Sequence, residues 1–163
     1  MGEKMIGSII STGFEKYFLC KNESEMPYLK IKLLLQETIW NAYRNGYTDF
    51  YVNCEYGIPL WAAEIISALK FYNVIRLHII VPYEEQTTNW TEEQRDRYYT
   101  SHQKADSIQF ANTKYHEYCY EQADKMMIDH SDLVFVFGKD QPSNAELYAT
   151  QTGIPVQRII ISK

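Results

Sequence analysis

Between Tyr51 and Ile66 the periodicity of the chain changes once, and that change restricts the architectures open to it. Asp49-Phe50-Tyr51-Val52 is β-branched and aromatic and follows the turn signal Asn45-Gly46-Tyr47-Thr48, so it reads as a short buried strand. Past Asn53, the apolar residues Ile58, Trp61, Ala62, Ile65, Leu69 and Tyr72 recur at helical spacing. Pro59 stands in the first turn of that helix, where its missing N–H does no harm. The stretch is therefore strand, tight loop and helix, with Gly57 at the crossing. Such a junction turns backbone N–H groups and the positive end of a helix dipole outward from the sheet edge, which suits an anion. The spacing alone points first to an ordinary turn that binds nothing, because neither a phosphate-loop nor a dinucleotide glycine pattern is present.

The alternation repeats along the chain. Met5 to Ser11 reads as a first strand, and Thr12-Gly13 follows as a turn that either ends the strand or lets a ligand approach the backbone. Phe14 to Pro27 is polar and irregular, long enough for part of it to cover a site. A helix over 28–45 ends at Gly46. Val74 to Val81 is a third strand stopped by Pro82, with His78 a structural or edge-facing residue rather than a ligand. Thr91-Glu92-Glu93-Gln94 resembles a helix start, and Arg95, Asp96 and Arg97 form a solvated, mixed-charge face. A short strand over 106–110 and a helix over 115–128 follow. Leu133 to Phe137 is the most continuous apolar run, hence central and buried on both faces. Ser143 or Asp140 caps a helix over 144–151, and Ile159-Ile160-Ile161 ends the last strand. Strand–helix alternation of this kind calls for a mainly parallel sheet with helices on both faces. With no repeat, linker or low-complexity tract, residues 1–163 make one domain.

Composition narrows the function classes. A net charge of −5 disfavours nucleic acid and anionic membrane as direct partners, since both want a basic surface. No apolar run approaches the roughly 18 residues that span a bilayer, and the start of the chain lacks the apolar core of a signal peptide. Cys20, Cys54 and Cys119 are odd in number and widely spaced, which fits a reduced, cytoplasmic chain. The four His lie far apart on different elements, so no metal site is expected. Fourteen Tyr suit stacking on bases or an interface, and equally an ordinary core rim.

Gly57-Ile58-Pro59-Leu60-Trp61-Ala62-Ala63-Glu64 is similar to the Gly-x-x-x-Trp-Ala-Ala-Glu signature of the YpsA-like proteins. Ser11-Thr12-Gly13-Phe14, Pro82-Tyr83-Glu84-Glu85-Gln86 with Asn89-Trp90, and Asp129-His130-Ser131-Asp132 match at the expected places, so the resemblance spans most of the chain. The YpsA-like group belongs to the SLOG superfamily, with the Lonely Guy phosphoribohydrolases and the DprA proteins. The resemblance implies a three-layer Rossmann-like sandwich and a nucleotide-type ligand, such as an ADP-ribose or dinucleotide-like molecule, with no further cofactor.

In an open α/β sheet, ligands sit beyond the carboxyl ends of the strands, where strand order reverses. With an expected order of 3-2-1-4-5-6, the loops at Thr12-Gly13, at Asn53 to Gly57 and at Asp140 to Asn144 converge. Thr12, Gly13, Asn53, Cys54, Gly57, Ser143 and Asn144 would then cradle a phosphate or ribose. Trp61 and Tyr83 are candidates to stack on a base, Trp61 also for the core. Glu64 is a candidate site carboxylate or a support for its loop, and Cys54 is either a thiol activated by the helix terminus or a packed side chain. No catalytic residue is assigned. The N-glycosidase activity of the Lonely Guy relatives is one expectation. Their Pro-Gly-Gly-x-Gly-Thr-x-x-Glu loop, however, is replaced by Gly138-Lys139-Asp140-Gln141-Pro142-Ser143-Asn144, with Leu147 at the place of the Glu. Glu146 lies one residue earlier, about 100° around the helix. An oxocarbenium-like transition state needs a placed carboxylate, so this departure favours a binder or sensor. An interaction protein with a vestigial site is the third reading. Leu60, Ala63 and Ile66 form a second apolar side on the helix after Gly57, which suggests a homo-oligomer or a covering loop.

Overall fold

The computed structural model of the chain describes residues 3–12, 22–139 and 141–161. Among these residues, six strands, β1 (Met5–Ser11), β2 (Tyr47–Val52), β3 (Arg76–Val81), β4 (Ser107–Phe110), β5 (Leu133–Gly138) and β6 (Val156–Ile160), form one sheet. Every pairing is parallel. Five helices connect them: α1 (Met26–Arg44), α2 (Ile58–Leu69), α3 (Glu92–Lys104), α4 (Cys119–Asp129) and α5 (Asn144–Gln151). α1, α2 and α3 cover one face of the sheet, and α4 and α5 the other, giving the expected three-layer Rossmann-like α/β sandwich. Among the described residues, no helix is long and apolar enough to cross a membrane.

The strand order is β4-β3-β2-β1-β5-β6, not 3-2-1-4-5-6. The chain steps outward through four strands before it reverses, because α3 lies in the same layer as α1 and α2. A right-handed crossover returns the chain to the other side of β1 only by passing over the opposite face, and α4 is the first helix to do so. The reversal point still lies beside β1, between it and β5. β5 is central, as its apolar run requires, and β1 pairs with it from Gly7↔Leu133 to Ser11↔Phe137.

α2 is the middle helix of its layer. Ile58, Leu60, Ala62, Ala63 and Ile66 are fully buried, and all of these but Leu60 share one core with Ile31, Leu35 and Ile39 of α1, Tyr98 of α3, and Phe50, Val52, Leu77 and Ile79 of the sheet. Each fully buried Leu or Ile contributes about 1.5–3 kcal/mol. The second apolar side at Leu60, Ala63 and Ile66 is therefore absorbed within the chain and gives no reason for an oligomer. On the opposite face Tyr51 lies stacked between His78 and His130, with ring centroids 4.7 and 5.1 Å away. His78 is structural, held by Asp49 at 2.7 Å and Ser107 at 2.5 Å. The Asp129–Asp132 motif is also structural: Ile6 and Asp132 exchange 2.8 Å hydrogen bonds, and Ser131 meets Ser8 at 2.5 Å, all at the amino end of the sheet.

Candidate functional site

At the reversal point, a crevice of 280 Å³ opens beyond β1 on the α4–α5 face. Ser11 and Thr12 come from the end of β1, Glu121, Asp124 and Lys125 from α4, and Ser143, Asn144 and Ala145 from the start of α5. Thr12 is held close to β5, its N–H donating to the Phe137 carbonyl at 3.0 Å. The approach needs glycine at position 138, because a Cβ there would overlap the Thr12 hydroxyl.

Ser143 caps α5 through a reciprocal box: its Oγ accepts from Glu146 N–H at 3.2 Å, and Glu146 Oε2 accepts from Ser143 N–H at 2.8 Å. The buried Glu146 carboxylate also receives Arg158 Nε at 2.6 Å. It is thus committed to the fold, while Leu147 is exposed. The box satisfies the N–H groups of Ser143 and Glu146 and leaves those of Asn144 and Ala145 without an intrahelical partner, on the wall of the crevice.

The terminus of α2 is built differently. Gly57 adopts φ 113°, ψ −139°, a conformation open essentially to glycine alone, and is buried. Of the first-turn donors, Pro59 has no N–H and Leu60 donates to the Glu55 carbonyl at 3.1 Å. Two of its first-turn positions therefore offer no N–H to an anion. Asn53 is equally occupied. Its Oδ1 accepts from Glu55 N–H at 2.9 Å, its carbonyl accepts from Gln86 Nε2 at 3.1 Å, and its Nδ2 donates to Asp124 at 3.3 Å. Gln86 in turn accepts from Tyr98, so the Pro82–Gln86 motif braces the Asn53 loop against α3. Cys54 is fully buried at φ 56°, and burial, aided by the charge of Glu64, pushes its thiol up rather than down. It is a packed side chain, not an activated one.

Trp61 and Glu64 lie elsewhere, in a concavity of 630 Å³ between α1 and α3. There Glu23 accepts from Trp61 Nε1 at 3.1 Å, from Arg97 at 3.1 Å, from Lys32 at 3.0 Å and from Tyr56 OH. Arg97 also grips Glu64 with two nitrogens, at 3.1 and 2.6 Å. Burial would raise the Glu23 carboxyl, but the hydrogen bonds from Arg97, Tyr56, Lys32 and Trp61 outweigh it and hold it at about 2. The cluster fastens the chain ahead of α1 onto α2 and α3.

Tyr83 lines a third concavity, of 660 Å³, past the carboxyl ends of β3 and β4, with Gln86, Asn89, Thr113, Lys114 and Tyr115. Its ring packs edge-on against Tyr115 at 5.2 Å and Tyr120 at 6.2 Å. Tyr120 and Asp124 are one turn apart on α4, so a single helix face joins this concavity to the crevice. The structure thus brings Thr12, Ser143 and Asn144 to one crevice, with Asn53 just behind it, and places Tyr83 alongside. It sets Cys54, Gly57, Trp61 and Glu64 apart. Gly13 lies outside the described residues, as do Asp140 and 14–21 of the expected covering segment.

Asp124 went unnoticed in the sequence. Burial, together with the charges of Glu55 and Glu121, outweighs the Asn53 hydrogen bond and pushes its carboxyl up to about 8. Its signal was faint: an acid one residue past Ala123, beside the apolar stripe of Cys119, Ala123 and Met127. Glu121 pairs with Lys125 at 3.4 Å. Among the described residues, no cluster of His, Cys, Asp and Glu is arranged to hold a metal ion.

The sequence model of the YpsA family, described as "YspA SLOG family", matches residues 9–155. The chain belongs to this SLOG family. It is 27% identical over 148 residues to a UPF0398 protein of Macrococcus caseolyticus strain JCSC5402, covering 89% of this chain and 81% of that one. A UPF0398 protein of Staphylococcus aureus strain JH9 is 23% identical over 149 residues, covering 88% and 80%. The family match takes in the end of β1, the α2 signature and the start of α5, so the crevice and its walls fall inside it.

Proposed function

We propose that this SLOG protein binds a nucleotide derivative of the ADP-ribose or dinucleotide class across the carboxyl edge of its sheet. The observation that carries this reading is the pair of N–H groups, Asn144 and Ala145, left unpaired by the capping box on the wall of the reversal-point crevice. A phosphate placed there meets two backbone donors, the positive end of α5 and the nearby Lys125. Asp124 holds its proton near neutrality, so it donates to the ligand instead of repelling it. Glu121 and the Thr12 hydroxyl suit ribose oxygens. At 280 Å³ the crevice is at the lower end of small-molecule sites and takes a ribose phosphate, not a whole dinucleotide. The adjoining tyrosine-lined concavity supplies the space and ring faces for a base.

The committed Glu146 carboxylate favours binding or sensing over glycosidic hydrolysis. The test is calorimetric titration with ADP-ribose, NAD and AMP, with chromatography for released base. Binding of a derivative without release of base is expected. Asn144→Pro removes one N–H at a helix position that accepts proline, whereas Asn144→Ala keeps it. Asn144→Pro should lose about 10- to 100-fold in affinity, the worth of one charge-assisted hydrogen bond, and Asn144→Ala far less. Equal binding by the two variants removes the phosphate from α5. No binding of any nucleotide overturns the proposal in favour of an interaction protein.

A further inference from the structure

α1 carries two apolar faces, and the sheet uses only one. Tyr28, Ile31, Leu35, Ile39 and Ala42 are buried against α2 and the sheet. On the opposite side Met26, Leu29, Leu33 and Trp40 are 64%, 46%, 57% and 38% exposed. At 100° per residue these four fall within about 60° of one another and run for about 21 Å. Met26, Leu33 and Trp40 are spaced by sevens, and Leu29 and Tyr43 fall three places after Met26 and Trp40. That is the spacing of a coiled-coil seam, with Gln36 as its one polar position. Trp40 and Tyr43 stack loosely at 5.7 Å and close one end.

The charges beside the seam identify the occupant. Lys30 and Glu37 are both exposed, flank the stripe on the same side, and have no ion-pair partner among the described residues. They stand on either side of Leu33. A two-fold axis through the middle of the helix therefore brings each Lys30 to the partner's Glu37, twice over. Lys32, the other nearby cation, is turned inward to Glu23 at 3.0 Å. The stripe is thus complementary to itself when run antiparallel.

We propose that α1 is the contact face of a two-fold homodimer in which two copies of this helix pack antiparallel, Leu33 near the axis and Lys30 against the partner's Glu37. The interface lies on the layer opposite the crevice wall formed by α4 and α5, so nucleotide binding and dimerisation are separable.

Sedimentation velocity on the full chain across a hundredfold concentration range tests this. A dimer is expected for the wild type and a monomer for Leu33→Glu, whose site is outside the core. Lys30→Glu and Glu37→Lys should each weaken association about tenfold, because two attractive pairs become repulsive, and the double variant should regain wild-type association. A wild type that stays monomeric throughout, or a dimer untouched by Leu33→Glu, overturns the interface. Failure of the double variant to recover overturns the antiparallel pairing, since in a parallel pair it would set like charges at Lys32 and residue 37 against each other.

Discussion

Gly57 shows how one residue type serves two opposed arguments. In the sequence it stands where a glycine would admit a phosphate; in the structure its positive φ lets the chain turn sharply out of β2 into a buried helix. The difference lies in Pro59 and the Glu55 carbonyl, which account for two donors of the turn. Gly57→Val is accordingly expected to destabilise the fold by at least about 1–3 kcal/mol, the order of strain at a glycine-only conformation. Chemical denaturation of the purified variant measures this; a fully stable variant would restore the loop as a candidate ligand contact. Asn144 is the converse case, an exposed polar residue whose backbone matters more than its side chain. Nothing in its identity marks it out, because the unpaired N–H belongs to its place after a capped Ser143.

At the scale of elements, the regular pieces were legible and the fastenings between them were not. Helix α5 begins and ends as its cap and periodicity require, and the Thr91–Gln94 signal is a true capping box. β3 starts at Arg76, not Val74, and α4 at Cys119, not Tyr115, because an apolar residue in a loop reads like one in a strand or helix. Glu23 could not be foreseen, since its partners Lys32, Tyr56, Trp61 and Arg97 come from three helices and a loop. Its carboxyl titrates at about 2 in the fold against 4.5 unfolded. Its contribution is therefore complete above pH 4.5 and disappears as pH falls toward 2. Glu23→Gln should cost about 1–3 kcal/mol at pH 7, with the gap to wild type closing over that acid window in urea titrations. A gap that does not narrow would mean that the carboxylate charge is not what holds α1 to α3.

For the whole molecule, the alternation of strands and helices sufficed for a parallel three-layer sheet, whereas the order of its strands did not follow. β4 is four residues long and largely exposed, and such a strand carries no mark of which neighbour it will have. The outward run of four strands sets the crevice between β1 and β5 and draws Asp124 into it from α4. Asp124 keeps its proton up to about pH 8 in the fold but releases it near 3.8 unfolded. Stability should therefore decline as pH rises across that interval. Asp124→Asn, which cannot ionise, should flatten the decline when denaturation is followed at pH 5 and pH 8.5; an unchanged slope would assign it to other groups. The strand order also sets a timetable. During synthesis the first four strands and three helices emerge with β1 unpaired along one side, since its second neighbour begins only at Leu133. Until then the nascent chain has a bare hydrogen-bonding edge in the middle of its future sheet, the kind of surface that invites mispairing and chaperone capture. The crevice comes into being with that last closure, so a nucleotide bound there as proposed would be a late passenger of folding, never its template.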